Sequence, residues 1–167
     1  MRRTGICGAT ETLLVNEHIA KKFLPKICSE LNEKGCKIVG DELTKSIVPY
    51  IDLAIEEDWS TEYLAPKISI KVVGDVYDAI EHIQKFGTQH TDAIMTENDE
   101  IAKVFTNAVD SAIVLVNAST QFADGGEFGL GAEIGISTGK LHARGPVGAA
   151  QLTSFKYVVH GNGQIRP

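Results

Sequence analysis

The chain has 167 residues, of which 43% are apolar and 23% are charged, and it carries a formal net charge of −6. This length predicts one domain with a substantial core, and the acidic balance argues against a nucleic-acid-binding protein, because that class needs a basic face. The longest apolar run, residues 112–116, is too short to cross a bilayer, and three cysteines without a close pairing pattern indicate a reducing compartment, so we expect a cytoplasmic protein.

The first elements are a short strand and a long helix. Residues 12–15 predict a buried strand, and Asn16 can cap a helix over residues 17–34 that Gly35 closes. Pro25 lies inside this pattern and predicts a kink or a late helix start. The apolar face of the helix is expected to comprise Ile19, Ala20, Phe23, Leu24, Ile27 and Leu31.

Strands and helices alternate through the middle of the chain. Strands are predicted at residues 36–40, 67–73, 92–95 and 112–116, the last of them fully buried. Helices are predicted at residues 42–47, 76–86 and 99–108, with Asp41, Asp75 and Asn98 as their N-caps. This alternation predicts an α/β fold with a mainly parallel open sheet and flanking helices.

The composition changes after residue 117. Glycines at positions 125, 126, 129, 131 and 135 predict a loop that runs into a small helix, and residues 152–159 predict one last strand. We therefore divide the chain into a domain at residues 1–150 and a C-terminal arm at residues 151–167. Cysteines and histidines do not fall at ligand spacing, so no metal site is expected.

Cys7 stands out because glycines lie close to it on both sides, at Gly5 and Gly8. Glycine permits backbone conformations that crowd other residues, so a turn here can present the thiol to a cleft. Backbone N–H groups and the nearby cations Arg2 and Arg3 would favour the nucleophilic thiolate. The alternative is that Cys7 is a small buried apolar residue, which is common for free cysteines.

Three segments, residues 5–15, 58–66 and 116–146, together resemble the γ-glutamyl phosphate reductase family of the aldehyde dehydrogenase superfamily. The first reads GICGATETLLV, the second DWSTEYLAP, and the third includes VNAST, DGGEFGLGAE and KLHARGP. The sequence departs from the family at Gly8, where asparagine is more usual. The resemblance implies an aldehyde-dehydrogenase-like catalytic domain.

The resemblance also implies a reaction and its nucleophile. Members of the family reduce γ-glutamyl phosphate to glutamate 5-semialdehyde with NADPH, a step of proline biosynthesis, through a thioester on a cysteine that matches Cys7. Glu62 matches the superfamily glutamate that holds the nicotinamide-side ribose, and Phe128 would line the cleft beside the thiol. The alternatives are a solvated glutamate at position 62 and core packing of Phe128.

Candidate substrate-binding residues lie later in the chain. Ser119 and Thr120 follow the predicted strand at residues 112–116, where α/β folds place ligand loops, and would bind the substrate carboxylate. Ordinary loop capping is the alternative for both. Arg144 would pair with the substrate phosphate or carboxylate, or else form a structural ion pair with Glu133 or Glu127.

The resemblance covers nearly all of this chain but less than half of a full enzyme of the family. A dinucleotide-binding domain precedes the cysteine segment in the family, so we predict that this polypeptide is inactive alone and depends on an N-terminal cofactor domain, for which a separate chain is one candidate. In the superfamily the C-terminal strand joins a neighbouring subunit, so a homo-oligomer is expected. The alternative is a non-catalytic oligomerising remnant or module of the same fold.

Overall fold

The structure is a computed structural model and describes residues 3–167. The described chain contains four α-helices, at Glu17–Glu33 (α1), Glu42–Ile47 (α2), Val76–Phe86 (α3) and Asp99–Ala108 (α4). Its strands are Thr12–Asn16 (β1), Lys37–Gly40 (β2), Asp52–Leu53 (β3), Lys67–Val73 (β4), Thr91–Ile94 (β5), Ile113–Val116 (β6), Gly135–Ser137 (β7) and Gly145–Val147 (β8). Short 3-10 helices lie at Glu56–Trp59 and Thr120–Phe122.

The largest sheet is parallel and has the strand order β1-β4-β2-β3. This confirms the predicted α/β fold with a parallel sheet and flanking helices. β4 lies between β1 and β2 and is buried on both faces along most of its length, so its sequence alternation does not mark an exposed face. The core between this sheet and its helices consists of Val15, Ala20, Leu24, Cys28, Cys36, Ile38, Val48, Ile51, Ile68, Ile70 and Val72.

The first helix starts where the sequence predicts, but its buried face is different. The side chain of Asn16 accepts a hydrogen bond from the N–H of His18, and α1 continues through Pro25, so the expected late start is wrong. α1 buries Ala20, Leu24 and Cys28, whereas Ile19 and Phe23 are exposed. Ile27 and Leu31 of the predicted face pack against the core while partly buried, so the buried stripe is centred on Leu24 and Cys28.

A second, smaller parallel sheet pairs β5 with β6. Ile80 of α3 packs with Phe105 and Val109 around this sheet and α4. The prediction that β6 is fully buried is wrong, because only Ile113 is buried and Val116 is 40% exposed. A strand at the margin of a two-stranded sheet has few neighbours to cover it.

The last part of the chain differs most from its prediction. In place of a small helix after the glycine-rich loop, β7 and β8 form an antiparallel pair. Residues 152–159 pair with no strand in the part of the chain that the structure describes; they are exposed, and the rings of Phe155 and Tyr157 meet edge-on. The predicted last strand is therefore wrong for the described chain. Among residues 3–167, no helix is long and apolar enough to cross a membrane.

Candidate active site

Cys7 lies on a tight turn that leads into β1. The N–H of Ala9 donates to the carbonyl of Ile6 at 2.9 Å, which places Cys7 and Gly8 at the centre of the turn. Cys7 is exposed, so the alternative of a buried apolar residue is wrong. Neither flanking glycine has a positive φ, so the turn does not need the left-handed conformation.

The 3-10 helix at Thr120–Phe122, more than a hundred residues away in sequence, holds this turn by hydrogen bonds. We call Thr120 and Gln121 the clamp. Thr120 donates its hydroxyl proton to the carbonyl of Gly8 at 2.7 Å. The hydroxyl proton of Thr120 is already used in that hydrogen bond. In the 3.0 Å contact between the Thr10 and Thr120 hydroxyls, Thr10 is therefore the donor. Gln121 also donates to the carbonyl of Arg3, at 3.2 Å. The position of Cys7 therefore depends on the 3-10 helix that follows β6.

Gly8 allows the clamp to approach closely. A Cβ atom on this residue would lie 2.9 Å from the carbonyl oxygen of Thr120, whereas a Cβ on Gly5 would meet nothing within 4 Å. A larger residue at position 8 would require the clamp to open by a few tenths of an ångström. The two glycines therefore differ in role, and only Gly8 touches the clamp.

The electrostatics of the thiol differ from the expectation. Partial burial raises the pKa of Cys7, and the negative charges of Glu133 and Glu62 raise it further, while the N–H groups of Cys7 and Gly8 lower it. The predicted effect of the N–H groups is present, but desolvation and the two carboxylates outweigh it, so the expectation that the surroundings as a whole favour the thiolate is wrong for the described residues. Arg2 lies outside those residues. The two N–H groups stabilise negative charge at the sulfur.

Glu133, whose negative charge raises the pKa of the Cys7 thiol, belongs to the glycine-rich segment. Its carboxylate accepts a hydrogen bond from the N–H of Gly125 at 2.7 Å. A side chain on Gly125 would lie 3.0 Å from the Cβ of Glu133, so glycine allows this close approach. Gly129 and Gly131 have φ values of +72° and +82°, a conformation that favours glycine, and they turn the chain back. No local sequence signal marks Glu133 as a residue whose charge acts on Cys7.

Glu62 lies on an irregular loop whose ends are fixed on two sides. Glu11, at the start of β1, accepts a hydrogen bond from the N–H of Tyr63 at 2.8 Å. The hydroxyl of Tyr63 donates to Asp58 at 2.8 Å, and Lys67 forms an ion pair with the same carboxylate at 2.7 Å. Glu62 itself is exposed and close enough to Cys7 for its charge to raise the pKa of the thiol.

Burial alone would raise the pKa of Asp58, but Lys67, the N–H of Ile55 and the Tyr63 hydroxyl lower it below the usual range of a carboxyl group. Burial and the Asp58 carboxylate raise the pKa of Tyr63. Asp58 is therefore an ionised anchor for Tyr63, the residue that follows Glu62. The sequence signal that could have found it is the spacing of Asp58, Tyr63 and Lys67 around a Trp-Ser-Thr turn.

The other predicted site residues occupy varied environments. Phe128 is 43% exposed and belongs to neither core, so the alternative of core packing is wrong. Ser119 caps the 3-10 helix by accepting a hydrogen bond from the N–H of Gln121 at 3.2 Å. Ser119 and Thr120 therefore lie near the cysteine turn through their shared helix; the Thr120 proton is used by the Gly8 carbonyl, whereas the Ser119 hydroxyl only accepts.

Arg144 pairs with a different acid from the two that the sequence suggested. Its guanidinium donates to the carboxylate of Asp110 at 2.7 Å and to the carbonyl of the same residue at 2.5 Å. Lys140 contacts that carboxylate as well. The expected ion pair with Glu133 or Glu127 is wrong, because Glu133 is turned toward Gly125. Within residues 3–167, no three His, Cys, Asp or Glu side chains form a group that could hold a metal ion.

Comparison with known proteins identifies the family. No protein-family model matches the chain. Over all 167 residues it is 60% identical to the γ-glutamyl phosphate reductase of Caulobacter sp. (strain K31) and covers 40% of that protein. The crystal structure of γ-glutamyl phosphate reductase from Thermotoga maritima matches with a TM-score of 0.93 at 54% identity, covering 99% of this chain and 40% of that one. The chain belongs to the γ-glutamyl phosphate reductase family.

This member of the γ-glutamyl phosphate reductase family spans about 40% of the length of the curated relatives it matches. A more distant match is an acetylating aldehyde dehydrogenase from Geobacillus thermoglucosidasius, with a TM-score of 0.68 at 18% identity, covering 99% of this chain and 46% of that one. At this identity the likeness concerns the fold alone. It confirms the aldehyde-dehydrogenase-like architecture that the three sequence segments imply.

Proposed function

We propose that this chain is the catalytic, cysteine-bearing portion of an NADPH-dependent reductase that converts γ-glutamyl phosphate to glutamate 5-semialdehyde in proline biosynthesis. The observation that carries the proposal is the exposed Cys7 thiol on a turn clamped by Thr120, with the N–H groups of Cys7 and Gly8 stabilising negative charge at the sulfur. Cys28 and Cys36 are buried, so neither competes for a substrate.

Cys7 acts as the nucleophile in this proposal. Its thiolate attacks the acyl carbon of γ-glutamyl phosphate, the bond from that carbon to the phosphate oxygen breaks, and phosphate leaves with the electron pair. The product on the chain is a thioester at Cys7, which divides one difficult exchange into two easier steps. The N–H of Cys7 donates to the acyl oxygen while that oxygen carries negative charge, and one such donor contributes on the order of 3 kcal/mol.

The raised pKa of Cys7 has a consequence for this step. Desolvation disfavours the thiolate, as do the charges of Glu133 and Glu62, so the chain by itself holds a smaller share of the nucleophilic form than a solvated cysteine at neutral pH. A cation brought close to the thiol would lower its pKa.

Glu62 and Phe128 are the residues of this chain that suit the cofactor. The exposed carboxylate of Glu62 can accept hydrogen bonds from ribose hydroxyl groups, and the half-exposed ring of Phe128 offers an apolar surface. When bound, NADPH supplies the hydride that reduces the thioester to the aldehyde and releases Cys7. Two side chains hold only one end of a dinucleotide. We therefore propose that the polypeptide alone does not turn over substrate and that a cofactor-binding domain, with a separate chain as one candidate, completes the site.

Ser119, Thr120 and Arg144 remain the proposed contacts for the substrate. Ser119 still has its hydroxyl proton to donate, because its oxygen only accepts from Gln121. The Nε of Arg144 is buried and unpartnered among the described residues, and the side chain as a whole is 25% exposed, so the proposed contact uses its accessible part. Thr120 acts on the substrate indirectly in this scheme, since its proton holds the Gly8 carbonyl.

The C-terminal arm at residues 151–167 is the proposed oligomerisation element of a cytoplasmic homo-oligomer. It exposes Leu152, Phe155, Tyr157, Val158 and Val159 in a segment that belongs to no helix or strand. The backbone N–H and C=O groups of such a segment have no ladder partners, so strand addition to a second copy would satisfy them and cover the apolar side chains. Light scattering tests this: a monomer at high concentration would contradict it.

The function is tested by trapping the thioester. The chain is incubated with γ-glutamyl phosphate generated in place by an added glutamate kinase, which transfers the terminal phosphoryl group of ATP to the γ-carboxylate of glutamate and releases ADP, and peptides are analysed by mass spectrometry. We expect a glutamyl adduct on Cys7 that Cys7→Ser abolishes and that Cys36→Ser leaves intact. A glutamyl adduct that persists in Cys7→Ser would overturn the assignment of the nucleophile.

The alternative function is a non-catalytic oligomerising module of the same fold, which the exposed arm and the raised pKa of Cys7 favour. Alkylation of Cys7 against pH separates the two. Under the catalytic proposal, addition of the cofactor-binding domain lowers the pH at which Cys7 reacts. Under the alternative, Cys7 reacts no faster than an unfolded thiol, no glutamyl adduct forms, and the chain still oligomerises.

A further inference from the structure

The side chain of Glu11 crosses from the cysteine segment to the loop that carries Glu62. Its backbone is fixed, because its carbonyl accepts hydrogen bonds from the N–H of Ser69 at 2.9 Å and from the Ser69 hydroxyl at 3.1 Å. Its side chain is half-buried and accepts the N–H of Tyr63 at 2.8 Å. A residue four positions after Cys7 therefore holds the peptide bond that directly follows Glu62.

The loop needs such a support. Residues 61–66 belong to no helix or strand, so no regular hydrogen-bond ladder fixes their shape. Leu64 has a φ of +50°, the left-handed conformation that costs energy for a residue with a Cβ atom and persists where the surroundings impose it. Asp58 holds the far end of the Tyr63 side chain, but only Glu11 among the residues named here holds the loop backbone beside Glu62.

Burial and a nearby negative charge disfavour the ionised form of Glu11. A carboxylate at this position therefore suggests that its strength as a hydrogen-bond acceptor matters. Burial raises the pKa of Glu11 and the nearby charge of Glu62 raises it further, while the N–H groups of Tyr63 and Leu64 lower it. A neutral glutamine would avoid the repulsion between the two glutamates. It would also present an NH₂ group, and its single carbonyl oxygen is a weaker acceptor than a carboxylate.

We propose that Glu11 is a positioning residue that sets the distance between Cys7 and Glu62 by holding the backbone at Tyr63 and Leu64. It touches neither substrate nor cofactor. The inference rests on the proposed function, in which Cys7 carries the acyl group and Glu62 holds the nicotinamide-side ribose. Glu11 would then fix how far the reacting carbon lies from the cofactor, from within the same segment that carries the nucleophile.

The test uses Glu11→Gln, with Glu62→Gln as the reference and Glu30→Gln, an exposed glutamate of α1, as the matched control. The first measurement is amide hydrogen exchange. We expect exchange in the peptide covering residues 60–66 to accelerate roughly tenfold in Glu11→Gln, since a hydrogen bond to a charged group is replaced by a neutral one, while peptides from α1 and β4 stay unchanged.

The second measurement is the alkylation of Cys7 against pH. Glu62 is one of the charges that raise the pKa of the Cys7 thiol. A direct effect of the Glu11 charge on the thiol would persist when Glu62 is already neutral, so a shift in Glu11→Gln that disappears in the double variant reports movement of Glu62. We expect the profile to move to lower pH in Glu62→Gln, to move in the same direction in Glu11→Gln, and to show no further shift in the double variant.

Several outcomes would overturn the proposal. These are unchanged exchange at residues 60–66 in Glu11→Gln, an unchanged Cys7 profile in Glu11→Gln when Glu62→Gln shifts it, and an unchanged profile in both variants. Neither measurement involves turnover, so failure of the positioning role is distinguishable from failure of the proposed function. If Cys7 forms no glutamyl adduct, the proposed function is wrong. Hydrogen exchange and alkylation would still decide whether Glu11 positions Glu62.

Discussion

The region from β1 to β4 and the region after residue 90 are stabilised in different ways. The first is a four-stranded parallel sheet with a continuous apolar core, in which Leu24, Cys28 and Ile70 are fully buried. The second has two-stranded sheets, a small cluster around Phe105, and a long run of exposed apolar side chains at its end. Burial organises the first region, whereas turns and hydrogen bonds organise much of the second.

The difference teaches where the candidate site belongs. Cys7 and Glu62 are attached to the well-packed region, through β1 and through the loop before β4. The clamp on the cysteine turn and Glu133 come from the less buried region. The site therefore lies where a rigid sheet meets a segment shaped by glycine turns, and the chemistry depends on how firmly the two are joined.

The largest expected effect compares two leucines, one in each region. Leu24 is 0% exposed, so Leu24→Ala should lower the free energy of unfolding by about 3 kcal/mol, through lost apolar burial and the cavity left behind. Leu152 is 62% exposed, so Leu152→Ala should change stability little in a monomer. Urea denaturation at two protein concentrations measures both.

Protein concentration is the control in the comparison of Leu24→Ala with Leu152→Ala. A loss of stability in Leu152→Ala that grows as the chain is concentrated would mean that the arm is covered by a second copy. A loss of similar size in both variants at low concentration would contradict the contrast between the two regions.

The next effect concerns His82, which lies at the junction of the two regions. Its ring packs against Trp59 and Phe86, with centroids 5.3 and 4.7 Å away, and its Nδ1 lies 3.3 Å from the Nζ of Lys71. Burial lowers the pKa of His82 from 6.5 to about 4, and the charges of Lys71 and Lys85 contribute in the same direction.

Between these two pKa values the unfolded chain binds a proton that the folded chain does not. The stability contributed by neutral His82 is therefore complete above pH 6.5 and is lost as the pH falls toward 4, by roughly 3 kcal/mol. Thermal unfolding at a series of pH values checks this, with His82→Phe as the variant that keeps a ring in the same place. Parallel pH profiles for the two proteins would contradict the assignment.

The smallest effect concerns the clamp. Thr120→Val removes the hydrogen bond to the Gly8 carbonyl and should cost about 1 kcal/mol of stability. It should also alter the rate at which Cys7 is alkylated, because the turn is no longer held. Ser119→Ala removes the cap of the same 3-10 helix without touching the turn, and should leave Cys7 reactivity unchanged. Equal changes in reactivity for the two variants would show that the clamp does not hold the turn.

The sequence predicted regular elements well where local chemistry decides them. Asp41, Asp75 and Asn98 cap helices as expected, because each side chain accepts N–H groups of the first turn. Gly35 ends α1 with a φ of +73°. The hairpin of β7 and β8 was missed, since strands of three residues among glycines carry no periodic signal.

The sequence identified only part of the candidate site, because only some of its residues lie in segments with a distinctive local pattern. Cys7 and Glu62 stand in segments whose order of residues is distinctive, so the sequence could nominate them. Glu133, Glu11 and Asp110 could not be assigned their roles, because each depends on a residue distant in sequence: Cys7, Tyr63 and Arg144 respectively. Local pattern does not encode such distances.

The sequence by itself determined the α/β fold, the helix boundaries and the family to which the chain belongs, because apolar periodicity, capping residues and distinctive segments are local properties. Only the tertiary structure decided which face of α1 is buried, which acid pairs with Arg144, and that two carboxylates raise the pKa of Cys7. Those outcomes follow from packing and from charges brought together across the chain, and electrostatic effects act through space, not along the sequence.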